Sequence, residues 1–460
     1  MAEDAAAPAV ELAMAARRWR SGGRCSSCLT LDEKTTYIAA TDLDAAPHAA
    51  KKESQRIPPW VLALVAWAVL REVQVAIASG GFGNDVMEYF GYARGWAEGR
   101  APYVDFNVEY PPGALILFLV PLLVGGRARY IKSFVGEMAV FDLLALLLVM
   151  ALARRIAPES RRRPAIAAAV YLASTALLHP VLYARFDLAP ATLLLAAIFL
   201  ARPGRPWSPF LLGLAGAVKL WPLGLAPLWL GSEYRRAGSK RLLRAAAWIG
   251  AGYIAPALLL LPRVGGRVTA FLQFHVQRGV QIESLWGTLA LALDRVGLGS
   301  AKPLFEFGAW DVQCPACPAF ATVSVPLLVV AVAVPQVLAL RRGAWSDQDA
   351  GGRMAMATCA AAVLGALVTA RVLSPQYLLW TCGLIAIAGW GWTRAGLVAA
   401  AALTTVIYPV LYPAFIDTRA ENHGLALAFA LARNLILLAM YVAFVRLLAR
   451  AADGQHRVGA

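Results

Sequence analysis

The chain has 460 residues, of which 59% are hydrophobic and only 15% charged, and its mean hydropathy is +0.59. A soluble domain of ordinary composition carries about a quarter charged residues, and apolar runs of bilayer length recur at 134–153, 245–261, 355–370 and 425–448, more than one cleaved signal peptide supplies. The net charge of +15 is no nucleic-acid signature either, because Arg and Lys gather between the apolar runs, as at Arg154, Arg155, Arg161, Arg162 and Arg163, where they read as cytoplasmic anchors.

In chain order, residues 1–56 are rich in Ala, Ser and charge without a sustained apolar period, and read as a cytoplasmic tail with no stable structure and no visible chemistry. A transmembrane domain is expected over 57–449, with a second cytoplasmic tail over 450–460. Lys51, Lys52 and Arg56 precede the first span, 57–79, hold the amino terminus inside and deliver Gly80 to the outside. Gly80, Gly81 and Gly83 then break the helix, and an amphipathic pattern from Asp85 to Glu98 opens a polar outer loop, 80–112, where chemistry is expected.

The segment 111–126 has 16 residues and opens on two prolines, so it either crosses the membrane or dips into it. The dip is preferred because it keeps the arginines of 154–163 inside with the later basic loops 202–205, 235–244, 341–353, Arg394 and the tail from Arg446. The stretch 209–230, broken at Lys219, Trp221 and Pro222, reads as two short helices forming a hairpin from the cytoplasmic side. The fold expected is an all-α polytopic bundle of about ten full spans with two irregular elements, and outer segments at 80–112, 179–187, 263–318 and 371–376.

Six cysteines include two CxxC pairs, Cys25/Cys28 and Cys314/Cys317, neither with the further Cys or His pair of a zinc site. A local Cys314–Cys317 disulfide is allowed if those residues face an oxidising compartment. Cys359 and Cys382 lie in apolar runs.

On a helix, Asp85, Glu88, Tyr89, Tyr92 and Trp96 share one face, and Asp105, Glu109 and Tyr110 follow before Pro111 and Pro112 fix the backbone. Asn84 or Asp85 also has a plainer reading as a helix cap. Transfer of a sugar to a hydroxyl needs a carboxylate to take the proton, cations to hold a departing phosphate and aromatic faces to seat the ring. The first loop offers the carboxylate and the aromatic groups, and Arg185, Lys219, Arg278 and Arg371 offer the cations. Three of these have a competing role: Lys219 snorkels to the cytoplasmic interface, Arg185 pairs with Asp187, and Arg278 is bridged by Glu283. His179 and His275 read as satisfied polar groups rather than metal ligands.

The string NDVMEYF followed by GRAPYVDFNVEYPPG resembles the first-loop signature of the GT-C membrane glycosyltransferases, most of all the polyprenol-phosphate-mannose-dependent α-mannosyltransferases, glycosyltransferase family 87. ARFDLAPATLL, GLAGAVKLWPLGLAPLWL, QRGVQIESLWG and LSPQYLLW, the last holding Gln376, resemble later blocks of that family in the same order, over roughly 60–440. The resemblance implies a cell-membrane enzyme that transfers a sugar, mannose first among candidates, from a polyprenyl-phosphate donor to a glycolipid or glycan hydroxyl on the outer face. It implies inversion with Asp85 as general base. Arg185, Lys219, Arg278 and Glu283 match blocks for donor binding or loop architecture. Asp85 is followed by Val86 rather than a second acid, so no cofactor is expected and a divalent metal has no support. A transporter or lipid flippase is the alternative, but it calls for charges midway along several spans, whereas these cluster at span ends and in outer loops. A scaffold protein would not need so acidic and aromatic a loop.

Overall fold

In a bilayer every backbone N–H and C=O must find a partner within the protein, which leaves helices as the natural element for so apolar a chain. A computed structural model describes residues 57–78, 84–345 and 352–450. The tails expected before Ile57 and after Arg450, and the break at Gly80, Gly81 and Gly83, lie outside the described residues.

The protein is an all-α membrane-type bundle. Among the described residues four helices are long and apolar enough to cross a membrane, Pro112–Ile156, Cys317–Arg341, Gly391–Ile416 and His423–Arg450. The pair Trp221–Leu258 and Leu261–Gln277, bent by 64°, makes a fifth if taken as one broken span. Leu188–Phe199, Trp207–Val218, Arg353–Thr369 and Pro375–Ala388 are apolar but shorter. The apolar runs in the sequence therefore divide between full-length helices and short ones.

The chain reverses direction at the end of the segment 111–126. Gly126, with φ 61 and ψ −172, interrupts Pro112–Ile156 in a conformation open to glycine and little else. Phe118 and Phe134 would stand about 24 Å apart on a straight helix. Yet both rings lie against Tyr89, at 4.3 and 5.5 Å, and the Tyr130 hydroxyl donates to the Phe118 carbonyl at 3.0 Å. The first arm is a short helix that starts where Gly113 touches the backbone of Ala217 and Val218; the second arm runs on to Ile156.

The basic loops meet at one end of the bundle. Arg155 donates to the Phe199 carbonyl at 3.1 Å, Arg163 to that of Ile387 at 3.4 Å and Arg394 to that of Ala386 at 3.2 Å. Each guanidinium thus covers open carbonyls at a helix C-terminus, where positive charge is favoured. The hairpin read in 209–230 also forms: Trp229 Nε1 donates to Ser208 Oγ at 2.8 Å, so the chain after the Lys219 break returns beside Trp207–Val218. Past a kink at Ala237 and Gly238, the same chain packs there a second time. Gly213 and Gly252 come so close to the carbonyls of Ile249 and Phe210 that a Cβ on either would sit 2.0 Å from the oxygen.

The stretch 263–318 is built rather than looped. It holds helices Phe271–Gln277 and Leu285–Arg295 and a three-stranded antiparallel sheet ordered β1 (Val280–Gln281), β3 (Ala309–Gln313), β2 (Lys302–Glu306), an addition to the expected all-α fold. Phe307 and Gly308, both at positive φ (49 and 69), form the two-residue turn that joins β2 to β3. A Cys314–Cys317 disulfide ties the end of this hairpin to the helix Cys317–Arg341.

A buried polar knot fastens the first half of the bundle. Asp142 accepts from Arg71 Nε at 2.7 Å, Trp67 Nε1 at 2.6 Å, the Tyr171 hydroxyl at 2.7 Å and the Tyr183 hydroxyl at 3.0 Å. Arg71 also reaches Thr175 Oγ1 and Gln74 Oε1, each at 2.7 Å. Removing one partner strands the other charge, which typically costs about 3–5 kcal/mol, whereas replacing both with apolar groups costs far less. Asp142→Ala is expected to lower unfolding stability in detergent by about that amount, and Arg71→Met with Asp142→Leu to recover most of it. Equal losses in the single and double variants would show that the knot is not held together by this pair.

Candidate active site

The site begins with two charges at the ends of two short helices. Asp187 immediately precedes Leu188–Phe199, where the helix dipole favours an anion, and Lys219 ends Trp207–Val218, where it favours a cation. Lys219 adopts an extended conformation because Trp221–Pro222 directs the chain into a 3-10 turn instead of a further helical turn. Its ammonium lies 2.7 Å from Asp187 Oδ1, which also accepts from Trp380 Nε1 at 2.6 Å. Three rings surround the ammonium, Phe186, Tyr377 and Trp380, at 4.8, 5.0 and 5.5 Å. Twelve residues of Leu188–Phe199, about 18 Å of helix, separate this pair from the arginine end.

A cavity of about 700 Å³ opens over the pair. Its cations are Arg185, Lys219 and Arg278, its carboxylates Asp85, Glu88 and Glu109. One wall is a stack of rings, Trp221 on Trp380 at 4.8 Å and Trp380 on Tyr377 at 4.2 Å, a flat apolar face of the kind that seats a sugar ring. A second cavity of about 770 Å³, lined by Tyr92, Tyr103, Asn107, Gln273 and Gln277 among others, lies on the other side of the same carboxylates. Asp85, Glu88, Glu109 and the turn Phe307–Gly308 belong to both.

Most residues singled out in the sequence converge here. Asp85, Glu88, Glu109, Tyr110, Arg185, Lys219, Arg278 and Gln376 line the first cavity, and His275 joins them. The helix Asn84–Ala97 presents Asp85, Glu88 and Tyr92 to the cavities while Tyr89 packs inward, stacked on Phe118 at 4.3 Å. Tyr89 is a core residue. Asp85 lies in the first turn of that helix, yet its carboxylate contacts the Arg185 guanidinium, so its role exceeds that of a cap.

Several expected pairings are corrected. Arg185 pairs with Asp85 and not with Asp187, whose carboxylate is taken by Lys219; Lys219 therefore does not snorkel. Glu283 pairs with Arg433 at 2.6 Å, both wholly buried, while Arg278 lies over the Phe274 ring. Glu283 is thus a buried tie between the segment 263–318 and His423–Arg450 and is absent from the cavity wall. Arg371 is also architectural: its Nη2 donates to the carbonyls of His275 and Val276 at 2.9 and 3.0 Å. Asp105 accepts from the Ala101 amide at 2.7 Å and stabilises a turn. His179 is outside the wall, and among the described residues no three His, Cys, Asp or Glu side chains converge to hold a metal ion.

Trp221, Phe307, Tyr377, Trp380, Tyr408 and Tyr412 also line the cavity, beyond the residues expected from the sequence. The WP after Lys219 and the YLLW beside Gln376 were visible signals. Phe307 had none, since a phenylalanine at positive φ is rare and no sequence rule anticipates it.

A bundle of apolar helices holds two adjoining polar cavities that share the carboxylates Asp85, Glu88 and Glu109, the first of them also lined by Arg185, Lys219 and Arg278. The model of glycosyltransferase family 87 matches residues 108–375, more than half of the chain, and the protein belongs to that family. It is accordingly a membrane glycosyltransferase. Glu109, Arg185, Lys219 and Arg278 fall within the matched residues, while Asp85 and Glu88 precede them. No curated protein matches the chain.

Burial raises the Glu109 carboxyl above its ordinary range, against the opposing pull of the Tyr110 hydroxyl and of Arg278 and Lys219. A carboxyl raised in the folded state keeps its proton longer than in the unfolded chain. Its stabilising share is complete below the unfolded value of 4.5 and is lost as pH rises through the folded value. Between about pH 4 and about pH 8 the wild type should therefore lose more thermal stability than Glu109→Gln. Parallel melting curves across that range would remove Glu109 from this role.

Proposed function

We propose that the enzyme transfers mannose from a polyprenyl-phosphate donor to a hydroxyl of a glycolipid or glycan, with inversion at the sugar carbon. The observation that carries this reading is the position of Asp85, on the wall shared by two cavities, the first lined by Arg185, Lys219 and Arg278, and in contact with Arg185. In the proposed reaction the donor phosphate lies among Arg185, Lys219 and Arg278, and its sugar rests on the rings of Trp221, Trp380 and Tyr377. The acceptor enters from the side of Tyr92 and Asn107. Its hydroxyl oxygen attacks the sugar carbon, Asp85 takes the proton, and the carbon–oxygen bond to phosphate breaks to leave polyprenyl phosphate on the cations. Arg185 engaged by the donor would release the Asp85 carboxylate for this task, so donor binding would switch on the base.

The reaction as proposed needs no metal. The cavity would face the non-cytoplasmic side of the cell membrane. Two observations support that orientation: the arginine loops gather at the opposite end of the short helix pair, and the Cys314–Cys317 disulfide lies directly after β3 on the cavity side.

With purified protein in lipid, labelled polyprenyl-phosphate mannose and a membrane glycolipid extract, Asp85→Asn is expected to reduce turnover at least about a hundredfold, and EDTA to leave it unchanged. Full activity in Asp85→Asn would move the base to Glu109. A wild type inactive with every polyprenyl-phosphate sugar tried would discard the donor class. Lys219→Met is expected to raise the KM for the donor about tenfold or more, as loss of a charged hydrogen bond to phosphate should; an unchanged KM would place the phosphate elsewhere.

A further inference from the structure

A separate cavity of about 310 Å³ lies at the arginine end of the bundle, about 18 Å of helix away from Asp187 and Lys219. It is bounded by the 201–209 turn and by the kinked helix Ala226–Leu258. Among the described residues Arg202, Arg205, Arg236, Arg241 and Arg244 line it, against a single carboxylate, Glu233. Glu233 lies 3.1 Å from Arg236 and 3.7 Å from Arg241 and so orients two of the five. Arg202, Arg205 and Arg244 have no acidic partner among the described residues.

The floor is rigid. Trp229 donates to Ser208 Oγ at 2.8 Å, Ser208 donates to the Ala197 carbonyl at 2.7 Å, and the Trp229 ring meets Trp345 edge-on at 4.4 Å. Guanidinium groups collected around a fixed concave floor repel one another unless an anion sits among them. Planar, multiply donating guanidinium groups suit phosphate oxygens in particular. Arginines that only set orientation have no need of such a hollow: Arg154, Arg161 and Arg162 are simply exposed at helix ends.

We infer that this cavity binds a phosphate group, and that the headgroup of an anionic phospholipid is the source its setting favours. A volume of about 310 Å³ takes a headgroup and no acyl chain. Trp207 and Leu243, 62% and 65% exposed beside Ser208 and Arg244, offer apolar surface on which the chains would lie. The bound lipid would brace the base of the hairpin whose other end carries Lys219.

The test uses the full-length protein in nanodiscs of phosphatidylcholine with about 20% phosphatidylglycerol, read by native mass spectrometry after gentle detergent release. The variant is Arg202→Gln, Arg205→Gln and Arg244→Gln together. The control, Arg154→Gln, Arg161→Gln and Arg162→Gln, removes the same charge elsewhere. Wild type and control are expected to retain one phosphatidylglycerol per chain, and the cavity variant to retain at least about tenfold less, with its melting temperature no longer raised by the anionic lipid. Inorganic pyrophosphate that displaces the lipid from wild type would identify phosphate as the group recognised. Retention of pyrophosphate in pure phosphatidylcholine, without lipid retention, would support the site and make its ligand a soluble phosphate. Equal lipid retention by the cavity variant and the control, or no retention of either ligand by wild type, overturns the proposal.

Discussion

An ammonium ion at the end of a short apolar helix is tolerated when a fixed anion meets it, and in this protein that anion is Asp187. The contact at 2.7 Å joins the start of one helix to the end of its antiparallel neighbour, with each charge at the helix terminus that favours it. Both helices have only 12 residues. The pair holds the Lys219 ammonium at the cavity wall.

The same rule governs the rest of the interior. Arg71 is met by Asp142, Arg433 by Glu283, and each pair carries further hydrogen bonds, from Arg71 to Thr175 and from Asn434 to the Glu283 carbonyl. These two ties fasten, respectively, the first helices to one another and the outer segment to the last helix. Arg278 is different: it lines the cavity over an aromatic ring, and among the described residues no acidic group is in direct contact with it. Together with Arg185, which pairs with Asp85, it lines the cavity as a cation, and in the proposed reaction the two receive the donor phosphate.

The two large cavities meet at Asp85, Glu88 and Glu109, below a hairpin tip whose Phe307 is held at positive φ. Such backbone strain persists only where surrounding structure enforces it, here by the pairing of β2 with β3. A transferase needs its two substrates to share a boundary narrow enough for one proton and one bond to pass. A carboxylate-lined border between two chambers provides that, and the Tyr89–Phe118 stack behind it keeps the helix Asn84–Ala97 from turning its acids away.

The sequence by itself determined the membrane setting, the helix that opens on Pro111 and Pro112, the hairpin broken at Lys219 and the gathering of acids on one helical face. Each of these follows from local composition or periodicity, which the bilayer and the backbone read directly. Only the tertiary structure decided the partners: Arg185 with Asp85, Asp187 with Lys219, Glu283 with Arg433 across 150 residues, and Arg371 on the carbonyls of His275 and Val276. The small sheet and the Phe307–Gly308 tip belong to the same group. Ion pairing is a matter of distance after folding, so the charge nearest in sequence, Asp187 for Arg185 or Arg278 for Glu283, is the obvious choice until packing places another carboxylate or guanidinium closer.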